Sequence, residues 1–136
     1  MRLLLNTNIV VDVISKRKGY ENSLQLIRYC ELGKVEGFIS ATTVTDIMYI
    51  LRKHITPREV RNAVQTLLLI LDVVDVLKSD ITSAFLSDIK DFEDAVQSCC
   101  AQRIKVDYIA TNNLKDFKNS TVPAISPEKA LELVAY

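Results

Sequence analysis

Four stretches of this 136-residue chain place carboxylates, amides and hydroxyls just beyond short apolar runs or at a helix start. They are Asn6-Thr7-Asn8, Asp46, Asp91-Phe92-Glu93-Asp94, and Thr111-Asn112-Asn113-Leu114-Lys115-Asp116. Carboxylates gathered in a small cleft repel one another. A hard divalent cation relieves that repulsion: Mg²⁺ or Mn²⁺ takes oxygen ligands from a few carboxylates, keeps several waters and holds substrate phosphate oxygens. No rival metal chemistry stands out. His54 is the only histidine, and Cys30, Cys99 and Cys100 have neither C-x-x-C spacing nor an even count, so they read as buried, reduced thiols. Taken singly, each acidic residue has an ordinary reading as well. Asp94 suits a helix dipole, Asp91 and Glu93 suit caps or a solvated face, and Asp116 suits a pairing with Lys115 or Lys118. Asp46 fits such a reading poorly, because Val44, Ile47 and Met48 around it are apolar.

The elements that must position these groups alternate. Arg2–Leu5 reads as a first strand, followed by a helix from about Thr7 to the basic cluster at Lys16. Glu21 to Leu32 carries Leu24, Ile27 and Cys30 on one helical face and stops at Gly33. Gly37–Ser40 reads as a second strand, with Thr42 or Thr43 capping a helix through Asp46 to Leu51. Thr56-Pro57 with Glu59 starts the next helix, which carries Val60, Val64, Leu67 and Leu71. Val73–Leu77 is the third strand expected, then a helix from Ser79 through Ile89 and another from about Asp91 through Cys100. Asp107–Thr111 is the fourth strand, Val122–Ile125 the fifth, and Ser126-Pro127-Glu128 opens a last helix ending at Val134. This alternation implies right-handed crossovers around a mostly parallel sheet, hence a three-layer α/β/α sandwich with four to five strands. In such a sheet ligands bind beyond the carboxyl ends of the strands, where the four polar stretches fall.

Length and composition are those of one globular domain spanning residues 1–136, since 49% hydrophobic and 25% charged residues exclude a disordered chain. The longest dense apolar run, Leu67–Leu71, is far short of a membrane span, so a cytoplasmic protein is expected. Formal net charge is zero, so contact with nucleic acid must come from local patches. Lys16, Arg17 and Lys18 follow the first polar stretch, and Arg52 and Lys53 follow Asp46. Each is also an ordinary solvated helix end.

The motifs together resemble those of the PIN-domain ribonucleases. Leu3-Leu4-Leu5-Asn6-Thr7-Asn8-Ile9-Val10-Val11-Asp12 is similar to the family's first motif: an apolar run, D-T-N, more apolar residues, then D. Ile39 to Asp46 resembles the second, Asp91-Phe92-Glu93-Asp94-Ala95 the D-F-x-D-A motif, and Ile109 to Phe117 the closing T-x-N/D-x-x-D/E-F motif. The resemblance spans nearly the whole chain, in order. It implies an acidic pocket holding one or two Mg²⁺ or Mn²⁺ ions, with Asn6, Asp46, Asp94 and Asp116 as its quartet and Asn6, Asp94 and Asp116 on the metal. Asp91, Thr7, Thr111 and Asn113 would support the pocket. It also implies a VapC-like toxin that cuts RNA, pairs as a homodimer and is silenced by an antitoxin; Tyr49, Leu51 and the Val60–Leu71 helix are candidates for those interfaces.

The first acidic position of the family is here Asn6. The change removes a charge that would bind metal, so this form is a silenced enzyme, a naturally inactive member, or an enzyme that tolerates the amide. The competing reading is a catalytically silent PIN-like module that binds RNA or protein through the same cleft. A phosphotransfer receiver fits poorly, because strand one ends in Asn6 and Asp75 falls inside the expected third strand.

Overall fold

The computed structural model describes residues 1–135. Its five strands are β1 (Arg2–Leu5), β2 (Glu36–Ser40), β3 (Asp72–Val74), β4 (Tyr108–Ala110) and β5 (Ala124–Ile125), hydrogen-bonded in the order β3-β2-β1-β4-β5. Every neighbouring pair is parallel. A parallel sheet buried on both faces needs apolar residues on both sides of a strand. The run Leu3-Leu4-Leu5 supplies them: Leu3 and Leu5 join one core, and Leu4 joins the other.

The first core lies under helices α1 (Thr7–Ser15), α2 (Glu21–Glu31), α3 (Ala41–Leu51), α4 (Pro57–Ile70) and α7 (Pro127–Val134). The second lies under α5 (Lys78–Phe85), α6 (Phe92–Ile104) and a 3₁₀ turn at Leu114–Phe117. The three-layer sandwich expected from the alternation is therefore the observed fold. Several local signals act as read: Gly33 follows α2 with φ +76°, the Thr56 hydroxyl accepts from Glu59 N–H (3.2 Å), and Ser126 accepts from Lys129 N–H (3.1 Å). Cys30 and Cys100 are buried, and Cys99 is half-buried.

Three expectations change. The third strand ends at Val74, which pairs with Ser40, the last residue of β2; beyond it the edge strand has no partner. Instead the Leu77 N–H donates to the Asp80 carboxylate (2.9 Å), turning the chain into α5. That helix stops at Phe85 rather than Ile89, whose N–H donates to Ser87 Oγ (3.1 Å). Helix α3 is capped by Ser40, which accepts from Thr43 N–H (3.3 Å), because the helix begins directly at the strand end.

The strand order sets the site. The chain runs outward from β1 to β2 and β3, then crosses back to β4 on the other side of β1. The reversal falls between β1 and β4, where ligands bind in open α/β sheets. Asn6 follows β1, Thr111 follows β4, and the Asn6 N–H donates to the Ala110 carbonyl (2.9 Å).

Helix α6, which brings the third acidic stretch to that edge, is tied to α5 by an ion pair between a buried carboxylate and a partly exposed guanidinium. Asp80, 3% exposed, meets Arg103 at 3.0 Å while also accepting from Leu77 N–H. Removing the carboxylate leaves Arg103, itself about a third exposed, without its partner and the Leu77 N–H without an acceptor. We expect Asp80→Ala to cost about 1–3 kcal/mol in chemical denaturation, more than Asp88→Ala on the exposed loop.

Candidate functional site

The α6 helix starts at an Asp91 cap, whose carboxylate accepts from Asp94 N–H (3.0 Å). The next turns point Asp94 and Gln97 toward Asn6. The Asn6 Nδ2 amide donates to Asp94 Oδ1 (3.3 Å) and to Gln97 Oε1 (2.9 Å), while Thr111 Oγ1 donates to Asn6 Oδ1 (3.3 Å). Gln97 Nε2 donates in turn to Thr7 Oγ1 (3.0 Å). Thr7 and Thr43 hydroxyls lie 2.9 Å apart, and Thr43 and Ser40 hydroxyls 3.1 Å. Asn113 N–H donates to Thr111 Oγ1 (3.0 Å). A buried polar chain thus links the ends of β1, β2 and β4 to α6.

Above it lies a cavity of about 280 Å³, lined among others by Asn6, Arg17, Glu93, Asp94, Asn113 and Asp116. A second cleft of about 550 Å³ adjoins it, sharing Asp91, Asp94 and Asp116 as walls. Asp46, on α3, sits against Glu93, and its Oδ2 is buried without a hydrogen-bond partner. Burial and the neighbouring Asp46 push the Glu93 carboxyl up to about 7, with Asp91 and Asp94 adding to the rise. Burial and Asp91 raise Asp94 to about 6 against the hydrogen bond from Asn6, with Asp116 adding further. A helix N-terminus ordinarily favours the ionised form; here desolvation and like charge outweigh it.

The structure brings Asn6, Thr7, Asp91, Asp94, Asn113 and Asp116 around one opening, with Thr111 beneath it and Asp46 behind Glu93. Asp116 makes no ion pair with Lys115 or Lys118. Among the basic residues, Arg17 reaches the cavity wall but is paired with Asp12 at 3.6 Å. Lys16 and Lys18 are exposed beside it. Arg52 lies over the Tyr49 ring (3.6 Å), and neither it nor Lys53 lines the two openings. Leu51 is fully buried in the core, so it offers no partner surface, whereas Tyr49 is exposed.

Sequence reasoning missed Gln97 and Glu93 as parts of the site. Gln97, 1% exposed, lies one turn beyond Asp94 on the same face of α6, and nothing in the sequence sets it apart from an exposed glutamine. The pairing of Glu93 with Asp46 joins two elements that only the fold brings together.

Residues 2–115 match the PIN domain. The chain belongs to the PIN domain family. Solved structures with this PIN fold include VapBC2 from Rickettsia felis bound to a promoter DNA fragment (TM-score 0.72, 20% identity, covering 93% of this chain and 98% of that one). A toxin–antitoxin complex from Klebsiella pneumoniae is similar at TM-score 0.68 and 22% identity, covering 92% and 97% of the two chains. So is VapC20 from Mycobacterium tuberculosis, a toxin that cleaves the sarcin–ricin loop, at TM-score 0.71 and 13% identity over 90% and 98%. At these identities the likeness is one of fold. No curated protein sequence matches the chain.

A hard divalent cation suits this PIN-domain opening. Its donors are carboxylate, amide and hydroxyl oxygens, and the carboxyls suffer mutual repulsion; behind them the buried Oδ2 of Asp46 has no partner. Among the described residues no three acidic, histidine or cysteine side chains surround one point. Mg²⁺, which keeps several waters and uses one or two carboxylates, does not require such a set.

Two outcomes are expected. Gln97→Leu leaves the Asn6 amide and the Thr7 hydroxyl short of partners and should cost about 1–3 kcal/mol by denaturant titration. Glu93 and Asp94 bind protons more tightly folded than unfolded, so the stability they contribute is full below the ordinary carboxylate range. It is lost as pH rises through about 6 and about 7. The thermal midpoint should therefore rise as pH falls from about 8 to about 5, and Glu93→Gln should flatten that rise.

Proposed function

We propose that this PIN-domain protein is a metal-dependent endoribonuclease, the toxin of a toxin–antitoxin pair, with activity lowered by Asn6. The observation that carries this reading is the convergence of Asp94, Asp116, Asp91 and Glu93 on one opening at the point where the strand order reverses. Family membership supports nuclease chemistry, and the similar folds include toxins found in complex with antitoxins. An RNA substrate, an antitoxin partner and a homodimer belong to the same reading.

Asp94 and Asp116 would hold Mg²⁺ or Mn²⁺, with the position-6 side chain beside them. When bound, such an ion lowers the pKa of water and neutralises charge developing on a phosphodiester. The chain's own groups do the rest. Thr111 holds the position-6 side chain by its Oδ1, and Gln97 holds it by its Nδ2, so residue 6 cannot swing away from Asp94. Glu93 lines the cavity wall against Asp46, and its carboxyl near 7 can accept or release a proton at neutral pH. Attack by water rather than by the RNA 2′-hydroxyl leaves a 5′-phosphate and a 3′-hydroxyl.

The amide at position 6 turns an N–H, not an oxygen, toward Asp94. It therefore competes with a cation for that carboxylate. Asn6→Asp should bind Mn²⁺ at least about tenfold more tightly in calorimetry and cleave RNA on the order of a hundredfold faster than this chain. Products ending in a 2′,3′-cyclic phosphate would overturn the mechanism.

The full set of hydrogen bonds made by Asn6 favours a second reading, a non-catalytic binding module whose interior has settled around an amide. Failure of Asn6→Asp both to bind Mn²⁺ and to cut RNA would select it.

A further inference from the structure

The larger of the two openings contains groups that the acidic chemistry does not use. Lys90, Lys115, Lys118 and Asn119 line the cleft of about 550 Å³ whose inner walls are Asp91, Asp94 and Asp116. All three lysines are exposed, and none lies within ion-pair distance of a carboxylate among the described residues, although Asp88 lines the same cleft. The basic residue on the opposite side of the acidic centre, Arg17, is already paired with Asp12. Unneutralised ammonium groups beside a carboxylate cluster are in place for an anion that reaches past the centre rather than for the cluster itself.

A second feature follows the cleft wall in sequence, although neither of its rings lines the cleft. Phe92, the residue after Asp91, is 40% exposed, and its ring centroid is 4.6 Å from that of Phe85, which is 74% exposed. An exposed aromatic pair starting one residue beyond Asp91, a wall of the cleft that carries the unpaired cations, is the composition of a single-strand platform. Phosphates track the charges, and bases stack on the rings.

The geometry points to the Lys90–Lys115–Lys118 cleft as the subsite for the phosphate backbone of a single RNA strand that flanks the acidic centre. The Phe92–Phe85 pair is the stacking surface for one of its bases. This assignment rests on the ribonuclease reading above and adds the path of the strand. The basic run at Lys16–Lys18 and the residues Arg52 and Lys53 are then secondary to it.

The test uses a short fluorescent single-stranded RNA of mixed sequence, with binding followed by anisotropy in EDTA and again with Ca²⁺, over a series of salt concentrations. The full chain is compared with the triple variant Lys90→Gln, Lys115→Gln, Lys118→Gln, with Phe92→Ala, and with Lys34→Gln. Lys34 precedes β2 and so lies at the opposite edge of the sheet. The triple variant should lose on the order of tenfold or more in affinity, and its salt slope should fall by about 0.7 for each lysine removed. Phe92→Ala should lose affinity with its salt slope unchanged, and Lys34→Gln should match the parent. If the parent binds and the triple variant binds equally well with the same slope, the cleft is not the strand path and the ribonuclease reading stands without it. If the parent binds no RNA in either condition, the ribonuclease reading fails and this assignment with it.

Discussion

The buried side chain of Asn6, 4% exposed, ties the molecule together at its most demanding point. Its backbone N–H joins β1 to β4, its amide nitrogen reaches α6, and its carbonyl oxygen takes the Thr111 hydroxyl. The partners leave little choice of orientation, since Asp94 Oδ1 and Gln97 Oε1 accept and Thr111 donates. Gln97 must then present its nitrogen to Thr7. An aspartate at this position has only acceptors to offer. Gln97 would have to turn its amide through half a rotation, and Thr7 would become a donor to it. The Thr43 and Ser40 hydroxyls can rotate to follow, because either atom of each pair can donate. Position 6 therefore sets the hydrogen-bond direction of a chain of side chains that crosses three strands. Polar networks of this kind stabilise only when every member is satisfied.

The electrostatics of the opening oppose this order. Helix α6 delivers Asp91, Glu93 and Asp94 in its first turn, favourable for a helix dipole in water. Folding places Glu93 against Asp46 and Asp94 near Asp116, and ionisation becomes costly enough that Glu93 holds its proton up to about 7 and Asp94 up to about 6. Asp80, on the same layer of the fold, shows the contrast. Burial alone would raise it, but hydrogen bonds from Arg103 and from the Leu77 backbone hold it below the ordinary carboxylate range. One carboxylate is satisfied and holds α5 to α6; the others are left in excess around an opening.

Much of this was legible in the sequence because local signals agreed with the fold. The triplet Leu3-Leu4-Leu5 has the continuous apolar run typical of a parallel strand buried on both faces, and Thr56-Pro57 and Ser126-Pro127 mark helix starts by their own chemistry. Asn6, Asp94 and Asp116 could be placed together because residues at the carboxyl ends of parallel strands converge. The length of β3 was not legible: Val73 to Leu77 has strand composition, and only the absence of a partner beyond Ser40 ends it. Nor was the Gln97 role, since a buried glutamine and an exposed one read alike until its partners on β1 are in place. The basic lining of the larger cleft was hidden for a similar reason. Runs such as Lys16–Lys18 are conspicuous in sequence, whereas Lys90, Lys115 and Lys118 are scattered and meet only around the cleft.

The central strand β1 pairs with β4 more than a hundred residues later, Leu3 lying beside Tyr108. The acidic opening draws on both, and on Asp116 further along. While the chain is being made, the first half can bury Leu3 and Leu5 under α1 to α4, yet it holds Asn6 and Asp46 without the groups they will face. Closing so long a loop comes late in folding. A growing chain that has not yet released residue 116 therefore lacks the completed acidic opening, and whatever reactivity the molecule has waits until that residue has joined the fold.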